Sequence, residues 1–206
     1  KTRGIVYLPT TSYIEMNEWT LPAQPANIYA SLVRQAKTAG WYEGNRAFLR
    51  GGIWKNFFSR YPESNWMHKR MLGLSSRLSM LRDRTHDETM TRKLYEAQAN
   101  DAYWHGLFGG LYLPHLRRAV FRAMIELEAM LDACEGRAAQ FVEDTDLDGI
   151  EELYLQNGLI QAVLKLDGSG SIFELDSYAL KHNFGDTLKR QVEHYYEQIF
   201  RSGSGS

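Results

Sequence analysis

Hydrophobic positions recur along this chain with two different periods, helical up to about Gly136 and strand-like beyond it. After Pro22, Ile28, Leu32, Val33 and Ala36 fall at helix spacing and Gly40 supplies a stop. Trp41 to Arg50 predicts a shorter amphipathic piece closed by Gly51-Gly52, with Trp41, Tyr42 and Phe48 expected in the core. Trp54, Phe57 and Phe58 stand at i, i+3 and i+4, so the segment Ile53 to Arg60 buries one face. Pro62 ends it, and Glu63-Ser64-Asn65 opens a helix through Leu81 on a stripe of Met67, Met71, Leu74 and Leu78. A polar loop and cap over Thr85 to Glu88 lead into a helix from Thr89 to Asn100. Pro114 then precedes a strong amphipathic helix from Leu116 to Glu135, with Val120, Met124, Leu127 and Leu131 on one side.

Past Gly136 the pattern predicts strands over Ile150 to Gln156 and Leu159 to Leu166, joined by the hairpin dipeptide Asn157-Gly158, and a third over Ser171 to Leu175. Thr187 to Phe200 reads as a helix or an irregular aromatic end piece. Gly4 to Leu8 is an apolar run ending at Pro9, expected as a buried strand, and the Gly/Ser run from Ser202 to Ser206 is expected as a flexible tail. The fold class implied is α+β, mainly α, with a small antiparallel β portion at the end.

A chain of 206 residues with 44% hydrophobic and 13% aromatic content can build a substantial core. Its formal net charge of −1, without a basic run, argues against nucleic acid or an anionic membrane as partner. No segment approaches the roughly 18 consecutive apolar residues of a membrane span, so a soluble, cytoplasmic protein is expected. The single Cys134, in an Ala-rich helical setting, reads as a small buried hydrophobe suited to a reducing compartment.

The chemistry concentrates between Asn100 and His115, where Asp101, Tyr103, Trp104, His105, Phe108 and Tyr112 are interleaved with Gly106, Gly109 and Gly110. Such a stretch is too polar and too interrupted for a core helix. Trp104 and Tyr103 can offer flat faces to the apolar side of a sugar ring, and Asp101 and His105 can hold hydroxyls. The same spacing also suits Trp104 and Phe108 as two core anchors on one helix face, with His105 a satisfied interior imidazole. For His68 and Arg70, packing against helix carbonyls or water is preferred over a place beside a substrate.

The run Ala97 to Gly106, followed by Phe108-Gly109-Gly110 and Tyr112-Leu113-Pro114-His115-Leu116-Arg117, resembles the last characteristic sequence region of glycoside hydrolase family 57, especially its 4-α-glucanotransferase and α-amylase members. Tyr7-Leu8-Pro9, Ser12-Tyr13, Glu15-Met16, Glu18-Trp19 and Leu21-Pro22 resemble the segment near the end of that family's catalytic barrel. Arg50 to Phe58 and Tyr61 to Met71 extend the likeness, and Gly170 to Leu175 resembles the opening of the family's C-terminal β-sandwich. Ala99 stands where the family often has cysteine, and departures concentrate between Leu81 and Met90.

The resemblance implies a fragment: residues 1–22 as the last strand and cleft loop of a (β/α)7-type barrel, 23–136 as a helical region, 137–201 as the start of a β-sandwich and 202–206 as tail. It implies a retaining enzyme that transfers or hydrolyses α-1,4-glucan links, with an α-glucan or maltooligosaccharide substrate and no cofactor. Asp101, Trp104, His105, Asn100, Tyr103 and Trp19 would form a substrate-binding wall. The nucleophile and acid/base carboxyl of such an enzyme lie on barrel strands upstream of Lys1, so no catalytic residue is expected here. A non-catalytic helical binding or scaffold module is the other reading. Asp144-Thr145-Asp146-Leu147-Asp148-Gly149 supplies the alternating carboxylates and glycine of a calcium loop, yet Leu155 holds the twelfth position where a glutamate belongs. A solvated acidic turn is therefore expected there, with a calcium-binding β loop as the alternative.

Overall fold

The computed structural model describes residues 15–82, 87–106 and 108–196. The expected strand at Gly4 to Leu8 and the Gly/Ser tail lie outside these described residues. The chain divides into two compact units, one made of residues 1–61 with 190–206 and the other of residues 62–189.

The first unit begins with α1 (Met16–Trp19), α2 (Ala23–Thr38), α3 (Tyr42–Asn45) and α4 (Trp54–Arg60). Gly51 lies so close to α1 that a Cβ there would stand 1.7 Å from the Asn17 carbonyl oxygen, so close approach requires glycine. The Asn56 side chain accepts from the Ile53 amide at 3.0 Å and starts α4. Phe57 and Phe58 are buried as their spacing demands. Residues 192–196 fold back onto this unit: Arg60 pairs with Glu193 at 2.8 Å, and Tyr61 donates to the same carboxylate at 2.6 Å. Two core expectations fail here. Trp41 and Phe48 are exposed, Phe48 by 83%, because α3 closes after one turn and carries no face into the unit. On α2 the buried positions are Ala26 and Ala36, and Ile28 of the expected stripe is 64% exposed.

The second unit packs α5 (Pro62–Arg82), α6 (Glu88–Ala97) and α7 (Pro114–Glu135) against a five-stranded antiparallel sheet. Asp87 caps α6 by accepting from the Thr89 and Met90 amides. The sheet is a meander of β1 (Gln140–Glu143), β2 (Glu152–Gln156), β3 (Ile160–Lys165), β4 (Ile172–Ser177) and β5 (His182–Asn183), in that order. The three expected strands are present. The two edge strands escaped the periodicity because β1 has only four residues and β5 only two. Thr187 to Gln191 has no regular secondary structure. The architecture is α+β and mainly α, as expected. Cys134 is exposed, contrary to expectation, because it falls in the last turn of α7 beyond Leu131.

The buried face of the sheet carries Glu152, Gln161, Glu174 and Asp176 beside Tyr154 and Val163. The register sets Tyr154 opposite Val163 and Val163 opposite Glu174. These polar groups converge on Arg70 of α5. Its guanidinium bonds both oxygens of Glu128 on α7, at 3.0 and 2.9 Å, and Glu174 Oε1 at 2.9 Å. Trp66 donates to Glu174 at 2.5 Å, and Arg137 reaches Glu128 at 2.8 Å. Arg70 therefore packs neither against helix carbonyls nor against water. Burial disfavours the charged form of Glu128, but Arg70, Arg137 and Arg77 outweigh it and hold its pKa at about 2. Asp176 is pushed the other way, well above the usual carboxylate range, by burial and by neighbouring Glu174.

Arg70→Met should leave Glu128 and Glu174 buried without their main partner and lower unfolding free energy by about 3 to 5 kcal/mol, read by urea titration. Because the Glu128 pKa lies at about 2 in the folded chain against an ordinary 4.5, its contribution is complete above pH 4.5. It is lost as pH falls from there towards 2, so acid titration of Arg70→Met should show a shallower loss over that window.

Candidate functional site

The stretch after α6 is not a helix. Asn100–Tyr103 and Gly110–Tyr112 form two 3₁₀ turns, and between them Trp104 is fully extended at φ −142° and ψ 173°. The turns lock together where the Leu111 amide donates to the Trp104 carbonyl at 2.8 Å. Gly110, at φ +47°, sits in that joint, and a Cβ on it would lie 2.0 Å from the same oxygen. Support comes from three helices. Tyr103 is buried and donates to the Ala97 carbonyl at the end of α6, Ser64 of α5 donates to the Tyr103 carbonyl, and Arg117 of α7 donates to the Leu111 carbonyl at 2.6 Å. Arg117 is itself held by Asp186 at 2.7 Å.

This bracing sorts the expected site residues. Asn100 and Asp101 are exposed, Trp104 is half-buried, and Tyr103 and His105 are buried, with the His105 ring 4.9 Å from Tyr112. Trp19 lies in the first unit, buried against His194 at 5.0 Å and Tyr195 at 5.5 Å. His105 is the interior imidazole that the core reading foresaw, but the pairing of Trp104 with Phe108 on one helix face is overturned. The extended backbone at Trp104 breaks any helical relation, and Phe108 is 92% exposed. Phe108 is the aromatic that sequence reasoning misjudged. Its position between Gly106 and Gly109, where the chain must turn sharply, was the available signal.

His68 of α5 stands with its ring 6.1 Å from Tyr103. Burial, aided by the adjacent Lys69, pulls its pKa down to about 4, so it is neutral at physiological pH. A groove of about 710 Å³ lies elsewhere in this unit, walled by Arg70, Arg77, Met80, Arg137, Phe141 and Tyr154.

The acidic loop is more closely built than a solvated turn. Ligand-capable oxygens of Asp144, Asp146 and Glu152 all lie within 4.8 Å of one another. Glu152 is 0% exposed, accepts from the Thr145 amide at 2.9 Å and has Lys165 Nζ 3.8 Å from its other oxygen. Burial, with a smaller push from Asp146, raises its pKa to about 7 despite the Thr145 bond. The spacing is close to that of a glycosidase pair, but a carboxylate sealed from solvent cannot flank a sugar.

A family model described as the α-amylase/4-α-glucanotransferase middle domain matches residues 52–131, and the corresponding C-terminal model matches residues 144–206. An α-amylase of Pyrococcus abyssi is 47% identical over 95% of this chain and 28% of that protein. A 4-α-glucanotransferase of Thermococcus kodakarensis is 45% identical over 96% of this chain and 28% of that protein. The crystal structure of the 4-α-glucanotransferase from Thermococcus litoralis superposes with a TM-score of 0.79 at 47% identity, covering 96% of this chain and 29% of that one. The chain thus spans about 28% of the length of the curated relatives it matches.

Gly110→Ala should destabilise the second unit by more than about 1 kcal/mol, through both strained φ and the clash with Trp104, whereas Gly73→Ala, in open space on α5, should stabilise by roughly 0.5 to 1 kcal/mol. His68 binds its proton less readily folded than unfolded, so stability is complete above pH 6.5 and falls as pH drops from there towards 4. Thermal melts of His68→Gln against the parent chain should show a weaker decline across that window.

Proposed function

Since this chain belongs to the α-amylase/4-α-glucanotransferase family, we propose that it is the helical and β part of a longer enzyme acting on α-1,4-glucans, and that the double turn after α6 forms one wall of its sugar-binding cleft. The observation that carries this reading is the bracing itself. Buried Tyr103 and His105, Ser64 and Arg117 hold a short segment whose outward groups are an amide, a carboxylate and two aromatic rings. That set matches a sugar, with hydroxyls for Asn100 and Asp101 and an apolar ring face for Trp104 or Phe108. Tyr103 and His105 shape the wall from behind. Rigid support matters because subsite residues must keep their geometry while the reacting sugar distorts.

In this reading the link breaks with retention, through a covalent glycosyl intermediate formed on a carboxylate that the rest of the enzyme supplies. Passing the glycosyl unit to a sugar hydroxyl gives transfer, and passing it to water gives hydrolysis. The wall contributes to that choice by holding acceptor sugar and excluding water. A maltooligosaccharide or longer α-glucan is the substrate. The cytoplasm is the compartment that fits a chain with one cysteine and no described helix long and apolar enough to cross a membrane.

By itself the 206-residue chain should show no turnover of maltooligosaccharides, followed by product chromatography; measurable turnover would overturn the assignment of catalysis to other parts. In the intact enzyme, Trp104→Ala should reduce kcat/KM by roughly 1 to 3 kcal/mol of transition-state binding, partly in kcat. Asp101→Asn should lower activity without abolishing it, and His105→Ala should do so through loss of shape. A non-catalytic scaffold predicts the opposite: melting temperature falls in Trp104→Ala while kcat/KM measured at low temperature stays at the parent value.

A further inference from the structure

The loop before β2 has the form of a cation site whose last ligand comes from the sheet. Asp144, Asp146 and Asp148 stand at alternate positions, with Gly149 at φ +90° providing the turn. Internal bonds hold the carboxylates in place: the Asp148 and Gly149 amides each donate to Asp144 at 3.1 Å, and the Ile150 amide donates to Asp148 at 2.8 Å. What separates this from an ordinary acidic turn is Glu152, the ninth residue counted from Asp144, which lies at the start of β2. Its Oε2 is taken by the Thr145 amide, while Oε1 is fully buried, accepts no hydrogen bond and lies among the loop carboxylates. A buried carboxylate oxygen without a hydrogen bond is costly unless something positive is to be held there.

Lys165, directly opposite Glu152 on β3, supplies part of that charge. Its ammonium hydrogen-bonds Asp148 and lies 3.4 Å from Asp146 and 3.8 Å from Glu152. One positive charge cannot balance four neighbouring carboxylates. The geometry points to a calcium site formed by the carboxylates of Asp144, Asp146, Asp148 and Glu152, with Lys165 as an outer partner of Asp148. Calcium fits better than magnesium, because it accepts irregular sets of oxygens at about 2.3 to 2.6 Å where magnesium demands a near-octahedral set and keeps its waters. The missing glutamate at Leu155 is thereby explained, since the ninth position replaces the twelfth. Such an ion would tie the β1–β2 connection to the start of β2.

The test is a calorimetric titration of the chelator-treated 206-residue chain with calcium chloride, alongside thermal melts. One ion per chain is expected, with a Kd between about 1 µM and 1 mM, and a rise in Tm of roughly 5 to 10 °C at a hundredfold excess over Kd. Glu152→Gln keeps volume and the Thr145 bond and should weaken binding at least about tenfold, as should the more exposed Asp148→Asn if Glu152→Gln does not fold. Asp167→Asn, in the next turn, should leave binding unchanged. Lys165→Met separates this site from a lysine-only ion cluster: it should bind calcium at least as tightly as the parent and recover stability when calcium is added. Absence of calcium-dependent heat or Tm shift in the folded parent chain would overturn the site. So would unchanged affinity in both Glu152→Gln and Asp148→Asn, or an equal response to magnesium.

Discussion

The second unit depends on one buried cation. Arg70 spans the gap between α5, α7 and the sheet, because its planar fork satisfies Glu128 and Glu174 at the same time. Once those carboxylates are inside, further polar partners gather around them. Gln161 donates to Glu128 at 3.1 Å and to Asp176 at 3.2 Å, Trp66 takes the remaining side of Glu174, and Arg77 and Arg137 pair with Asp132. A network of this kind adds little net stability over an apolar core of equal volume. What it does is join the sheet to α5 and α7 through directional, charge-assisted bonds between specific partners.

That constraint explains why the sheet looks inverted. Leu155, Ile160 and Ile172 lie on the face away from the helices and are exposed in this chain, while Glu152, Glu174 and Asp176 point inward. A bulge between Val163 and Leu164 lets Phe173 join the inner layer, where its ring meets Trp66 at 4.8 Å.

The same helices that bury Arg70 hold the double turn. Ser64 lies in the first turn of α5 and Arg117 in the first turn of α7, so each reaches a carbonyl of the motif from a position that helix packing already defines. The candidate sugar wall and the ion network are thus two ends of one helical pair. Rigidity at the wall comes from hydrogen bonds to main-chain carbonyls, which hold the turns in shape while leaving Asn100, Asp101 and Phe108 outward.

Local rules in the sequence decided the existence of the helices from α4 to α7, the hairpin at Asn157-Gly158 and the fold class, because proline breaks, caps and apolar spacing act within a few residues. That the stretch around Trp104 is not one continuous helix was legible for the same reason, since Gly106, Gly109 and Gly110 interrupt it within five residues. The buried face was legible on α4, α5 and α7, where Phe57, Met67, Leu74, Val120 and Leu127 are inside as their spacing requires, but not on α2, α3 or the sheet. Ile28, Trp41 and Phe48 carry apolar area that this chain leaves outside, and Glu128 and Glu174 carry charge that it places inside. Hydrophobicity assigns each residue a preference, but only the assembled fold could supply Arg70 as the partner that makes buried carboxylates favourable. Glu152 shows the same limit, since its sealed position beside Asp144 and Asp146 is created by strand pairing with Lys165, and pairing across a sheet is a tertiary fact.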